Sequence, residues 1–232
     1  MLFRTRKVSY QDFVGDVKTG DIVLMEGTLT SSRIIEYFEG CPWSHSAMLV
    51  WEQDIPNVFK EPPESNRLLL WEANVTSEET TPPPVLDLIS GKQKSGPQLV
   101  ELQKRISHNY TLKDDSSFAI RHLYLDRDPD IYSRLEQVIQ ETHSATFPTP
   151  SSQEFKNFIM GRIEGKQATD GSFFCSQLLS YTFMKLGVIS SLYPDNSYAP
   201  GDFSEKIDIS LLKRGWFGKE ITLDTKTIPY AS

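Results

Sequence analysis

Short apolar runs broken by turn residues fill the first half of the chain, and beyond residue 126 the apolar positions recur at helical spacing. Asp21 to Met25 (DIVLM) follows Gly20 and reads as a strand. His45 to Glu52 (HSAMLVWE) is strand-compatible and too short for a typical helix, and Arg67 to Ala73 (RLLLWEA) reads the same way. Three prolines make residues 53–66 a loop, so these two strands form a long-looped antiparallel hairpin. Further strands are expected at Gln98–Gln103 and Phe118–Leu125, with a weaker one at Glu220–Leu223. Ser31 or Ser32 can cap a short helix with Ile34, Ile35 and Phe38 on one face and Gly40 at its end. Asp128 and Pro129 open a helix over 129–142 whose buried face is Ile131, Leu135, Val138 and Ile139. A capping box, Ser151 with Glu154, opens another helix with Phe155, Phe158 and Ile159 inward. Cys175 to Leu186 forms the last helix, with Leu178, Leu179, Phe183 and Leu186 buried, Lys185 at the negative end of its dipole and Gly187 as its stop.

Strands come first, then helices, then a final strand. That order predicts an α+β fold with an antiparallel sheet packed against helices, in one domain over residues 1–232. Residues 76–97 are Pro-rich and charged and are expected as a surface excursion.

Charge and composition narrow the function. A formal net charge of −7 argues against a nucleic-acid-binding surface, which needs clustered Lys and Arg. The two cysteines, Cys41 and Cys175, lie too far apart in sequence for a CxxC zinc site and are too few for a disulfide framework, and no cofactor is expected. No run reaches the ~18 apolar residues of a membrane span. The opening MLFRTRKVSYQDF has no apolar stretch of the secretory kind, so a cytoplasmic protein with reduced thiols is expected.

Cys175 carries the most chemical information. It follows the turn Asp170-Gly171-Ser172 and sits where a helix begins. There the unpaired N–H groups and the positive dipole end stabilise a thiolate and can hold an oxyanion on a substrate carbonyl. The ordinary alternative is a core cysteine, since free Cys is among the most buried residue types. A nucleophilic thiol needs a base, and the base needs an orienting group. Of four histidines, His45 opens a strand at a sheet rim and can face a helix terminus. His122 lies mid-strand, where packing is the usual role, and His108 and His143 sit in polar, loop-like surroundings expected to face solvent. Glu72 stands in the apolar run LLLWEA beside the His45 strand. Buried there, it requires a cationic or N–H partner, for which His45 is the nearest; facing solvent, it requires none. Cys41 precedes Pro42 with no helix behind it, which makes it a poor nucleophile, although its nearness to His45 raises a Cys41–Cys175 disulfide as a regulatory alternative. Trp43 and Tyr193 are candidates for lining a cleft, with core or rim packing as the ordinary reading; Tyr181 lies beyond the first turn of the helix and stays outside the site.

The segments GDIVLMEG, SSRIIEYFEGCPWSHSAMLVW, LLLWEA, FFCSQLLSYTFMKLGVI and YAPGDFS, spread from Gly20 to Ser204, resemble the circularly permuted branch of the NlpC-like, papain-like superfamily. The nearest resemblance is to the YiiX-type hydrolases, with poxviral permuted-papain proteins and lecithin retinol acyltransferase as more distant relatives. In that branch the order along the chain is His, a polar residue, then Cys. The resemblance therefore implies His45 as general base, Glu72 as its orienting residue and Cys175, followed by Ser176, as nucleophile. The family commonly carries Glu where this chain has Gln177. Two chemistries share the implied thioester step. One is cleavage of an amide in a peptide or peptidoglycan-like substrate; the other is hydrolysis or transfer of a lipid acyl group. A non-catalytic binding module on the same fold is the third reading.

Overall fold

A computed structural model describes residues 7–26, 41–61, 66–75, 84–112, 116–127, 129–148, 172–207, 209 and 215–229. The helices expected over 31–40 and 151–159, the Asp128 cap and residues 76–83 fall outside these described residues.

The strands are β1 (Lys7–Val8), β2 (Ile22–Met25), β3 (His45–Trp51), β4 (Leu68–Asn74), β5 (Gly96–Glu101), β6 (Phe118–Arg121), β7 (Leu123–Tyr124), β8 (Trp216–Phe217) and β9 (Ile221–Leu223). Seven form one sheet in the order β1-β9-β6-β2-β3-β4-β5, and β7 pairs with β8 in a separate ribbon. Every pairing is antiparallel except β1 with β9. The fold is α+β with a mostly antiparallel sheet, and β3 and β4 form the expected hairpin. The helices are α1 (Tyr10–Gly15), α2 (Leu102–Leu112), α3 (Pro129–Thr142) and α4 (Cys175–Lys185).

Side chains alternate across a strand, so each strand feeds two cores. Leu24, Met48, Trp71 and Leu99 face α3 and α4, where Ile131, Leu135, Leu178 and Phe183 meet them. Met25, Ala47, Leu49, Leu70 and Val100 face Phe13 of α1 and Leu102 and Ile106 of α2. Burial of both faces is why β2 reads IVLM with no polar alternation.

Two expectations need correction. The strand placed at Gln98–Gln103 runs from Gly96 to Glu101, and the chain then turns at once into α2. That helix escapes a periodicity reading because its inward side mixes Leu102 and Ile106 with the buried polar residues Arg105 and Asn109. The strand placed at Phe118–Leu125 breaks at His122. Asp21, 1% exposed, takes the Leu123 N–H at 2.8 Å and His122 Nδ1 at 2.7 Å, and these bonds pull the chain out of the ladder. The described part of the segment expected as an excursion, residues 84–97, combines exposed positions (Leu86 and residues 90–93) with a buried anchor, Asp87. Asp87 is fully buried and accepts from the N–H groups of Ser90 at 2.8 Å and Leu99 at 3.0 Å. Among the described residues no helix is long and apolar enough to cross a membrane.

Gly96 couples the far edge of the sheet to the segment that leads into α4. Its φ is +134°, and a Cβ there would overlap the Ala145 carbonyl oxygen. The neighbouring Thr146 bridges to Ser172 and accepts the Phe173 N–H at 2.9 Å, two residues before Cys175. Gly96→Ala is expected to lower the unfolding free energy by about 2 kcal/mol or more, from backbone strain plus the clash. Urea denaturation measures it, and a loss below about 0.5 kcal/mol, the size of an ordinary surface substitution, contradicts it.

Candidate active site

Cys175 is the first residue of α4, after Phe174 in extended backbone (φ −76°, ψ 163°). The first turn is held from outside the helix. Gln177 Oε1 accepts the Phe174 N–H at 3.4 Å, and Gln177 Nε2 donates to Asp195 Oδ1 at 3.1 Å. Ser180 Oγ donates to the Asp195 carbonyl at 2.7 Å. An amide at position 177 can both accept and donate, whereas a carboxylate could not donate to Asp195. That is a physical reason for this chain to carry Gln where the resemblance leads one to expect Glu.

His45 opens β3 at the rim of the sheet, opposite Met25 of β2. Met48 pairs with Trp71, so one step along the register sets Ala47 against Glu72 and leaves His45 a diagonal neighbour on the same face. His45 Nε2 and Glu72 Oε2 are 2.6 Å apart. Gln98 stands directly across from Glu72 on β5, and its Nε2 donates to Glu72 Oε1 at 3.0 Å. Arg105 reaches down from α2, its Nε 3.0 Å from the same oxygen. Glu72 is fully buried, and these partners offset the cost of holding a carboxylate away from water.

With Nε2 committed to Glu72, Nδ1 is the nitrogen of His45 left for the Cys175 thiol, whose charge acts on the ring. The sulfur also receives the backbone N–H groups of Ser46 and Ser176 and lies 4.0 Å from the Ser44 carbonyl oxygen. Burial alone would push the thiol up; the charge and hydrogen bond of His45, with the two N–H groups, outweigh it and lower the Cys175 pKa. Burial would likewise depress His45, but the thiolate and Glu72 raise it to about 9. Glu72 resists its own burial through the charge of Arg105 and the bonds from His45 and Gln98, which hold it at about 2. Both shifts run in the direction of a thiolate–imidazolium pair, backed by the Glu72 carboxylate.

The other histidines are elsewhere. His122 binds Asp21 at 2.7 Å and His143 binds Asp87 at 2.9 Å. Neither His143 nor His108 is the solvent-facing loop residue expected from sequence: both are half-buried, and His108 lies within α2. Three buried carboxylates thus each meet a histidine, but only His45 also meets a thiol. Cys41 is as buried as Cys175, at 6% exposure, yet burial pushes its thiol up despite hydrogen bonds from the Trp43 backbone and Ser204. Both cysteines are free. Trp43 is a core residue whose Nε1 donates to Glu220 at 3.1 Å, and Tyr193 is 61% exposed. Sequence reading missed Gln98 and Arg105. Gln98 is detectable in principle as the cross-strand partner of a buried acid; Arg105 leaves no local signal. An open cleft of about 780 Å³ beside His122, Tyr124 and Trp216 shares no residue with the Cys175 cluster. Among the described residues no group of three or more His, Cys, Asp or Glu side chains is arranged to hold a metal ion.

No protein-family model matches the chain. No curated protein matches it in sequence. Among solved structures it is similar to the metalloprotein YiiX from Escherichia coli O157:H7, at 14% identity and a TM-score of 0.45. That match covers 73% of this chain and 66% of the other, so the chain spans just under two thirds of that protein's length.

Equal solvent exposure makes the two cysteines a useful comparison. Near neutral pH a small alkylating agent is expected to modify Cys175 on the order of 10-fold or more faster than Cys41, since only the thiolate reacts. Peptide mass spectrometry reads this directly, and equal rates would contradict the charge pair. Gln177→Glu sets a second carboxyl against Asp195 and is expected to cost about 1–3 kcal/mol at neutral pH. The penalty should fade as pH drops and the new carboxyl protonates, because its folded pKa is raised; denaturation at two pH values tests the sign.

Proposed function

We propose that this protein is a cysteine hydrolase that cleaves an amide bond in a peptide or peptidoglycan-like substrate, with Cys175 as nucleophile, His45 as general base and acid, and Glu72 as the group that orients His45. One arrangement carries the reading: His45, 2.6 Å from the buried Glu72, is coupled electrostatically to the Cys175 thiol at a helix N-terminus. Neither a core cysteine nor an ordinary His–carboxylate pair needs that arrangement. The chain order His, Glu, Cys and the resemblance to permuted papain-like hydrolases support it further.

The chemistry follows from the protonation states. The Cys175 thiolate attacks the carbonyl carbon, and the negative charge passes to the carbonyl oxygen, for which N–H groups at the start of α4 are the available donors. As the C–N bond breaks, the imidazolium of His45 gives its proton to the leaving amine. Neutral His45 then takes a proton from water, the hydroxide attacks the thioester, the C–S bond breaks, and the product leaves as a carboxylic acid that loses its proton to solvent, while the thiolate–imidazolium pair is restored. Glu72 keeps the ring of His45 in one orientation throughout and stabilises its charged form.

Turnover of a peptide-amide panel and a matched ester and phospholipid panel tests this. The expected result is amide cleavage that falls by about 10³-fold or more in Cys175→Ala and in His45→Ala. It should also fall on the alkaline side near pH 9, where His45 loses the proton the leaving group needs. Preference for acyl-lipid esters would move the reading to lipid acyl chemistry. Undiminished turnover in Cys175→Ala would end it.

A further inference from the structure

We infer that Arg105 is a positioning residue for this site, acting through Glu72: its guanidinium, carried over the sheet by α2, keeps Glu72 a carboxylate committed to His45. The inference rests on the hydrolase reading for its functional meaning but stands on geometry of its own.

Glu72 is met from every element packed against it. His45 comes from β3 at 2.6 Å, Gln98 from β5 at 3.0 Å and Arg105 from α2 at 3.0 Å, with Cys175 of α4 acting through His45. The three direct partners do different things. Gln98 is neutral and fixes direction: its Nε2 pins Oε1 and leaves Oε2 for the histidine. His45 changes charge as the thiol is used and returned, so it cannot be the constant counter-charge. Arg105 is the one permanent cation that faces Glu72 among the described residues. Its side chain is 10% exposed, so water screens the pair little. Its Nε lies close to Oε1 without an aligned hydrogen bond, so it acts as a charge and not as a fork.

Removing that charge has one chemical consequence. When His45 is neutral, a buried Glu72 without Arg105 would take up a proton. A protonated Glu72 no longer stabilises the imidazolium, and the thiolate then goes unsupported. A charge-only role also predicts that lysine can stand in for arginine.

The test uses the full chain with Arg105→Met and Arg105→Lys, read two ways. Carbon-13 NMR of the Glu72 side-chain carboxyl should show its titration moving up by about 1 pH unit or more in Arg105→Met and little in Arg105→Lys, as expected for loss of an opposite charge within contact distance. The acid limb of Cys175 alkylation by iodoacetamide should move up in the same variant and recover in Arg105→Lys. A role in packing alone would lower the melting temperature of Arg105→Met with both titrations unmoved, and that result overturns the inference. An equal shift in both variants also overturns it, since charge would then not be what matters. If Arg105→Met fails to fold, the comparison is wild type against Arg105→Lys, with a Glu72 shift of a full pH unit in the lysine variant as the overturning result. The NMR readout needs no turnover, so failure of the hydrolase reading, seen as no preference for Cys175 over Cys41, is distinguishable from failure here.

Discussion

The burial of one carboxylate organises this molecule. Glu72 lies on β4, next to the β5 edge of the sheet, with no access to water, a position that is costly for an unpaired acid. It is tolerated because a histidine, an amide and a guanidinium converge on it from β3, β5 and α2. Those elements must be in correct register for the charge to be met. A one-residue slip of β4 would turn Glu72 to the other face and leave all three partners stranded. The candidate chemistry and the sheet register are therefore set by the same contacts.

The site also joins two layers. Glu72, Gln98 and Arg105 belong to the side of the sheet covered by α1 and α2, while Cys175 starts a helix on the opposite side. His45 can touch both because it is the first residue of its strand, at the rim, where the sheet no longer separates the layers. The lead-in to Cys175 is steered from outside the helix. Thr146 holds Phe173 and Ser172, Gly96 packs against Ala145 and Thr146, and Asp195 holds Gln177 and Ser180. The nucleophile candidate is thus fixed by the sheet edge and a loop as much as by its own helix.

A histidine against a buried carboxylate is a recurring staple in this fold rather than a mark of chemistry. Asp21 with His122 breaks a strand and anchors Arg127, and Asp87 with His143 ties the 84–97 segment to the end of α3. What distinguishes the Glu72–His45 pair is the third partner, a thiol held by two backbone N–H groups at a helix start. Cys41 shows the converse: a thiol equally hidden from solvent but without an imidazole is harder, not easier, to ionise.

Much of this was readable from residue order alone. Apolar periodicity gives β2, β3, β4, α3 and α4, because those elements bury enough side chains for the pattern to be strong. The Gly-Ser turn before Cys175 and the acid inside LLLWEA flag two of the three site candidates, because a helix start and a buried charge each have a local signature. Tertiary structure alone decided the rest. α2 is invisible to periodicity because its inward side carries polar residues whose partners come from other elements. The break at His122 depends on Asp21, about a hundred positions away. Arg105 could not be singled out because its significance is a distance to Glu72, and no window of sequence contains both. Propensity and patterning are short-range properties of the chain, whereas the neutralisation of a buried charge is a long-range one.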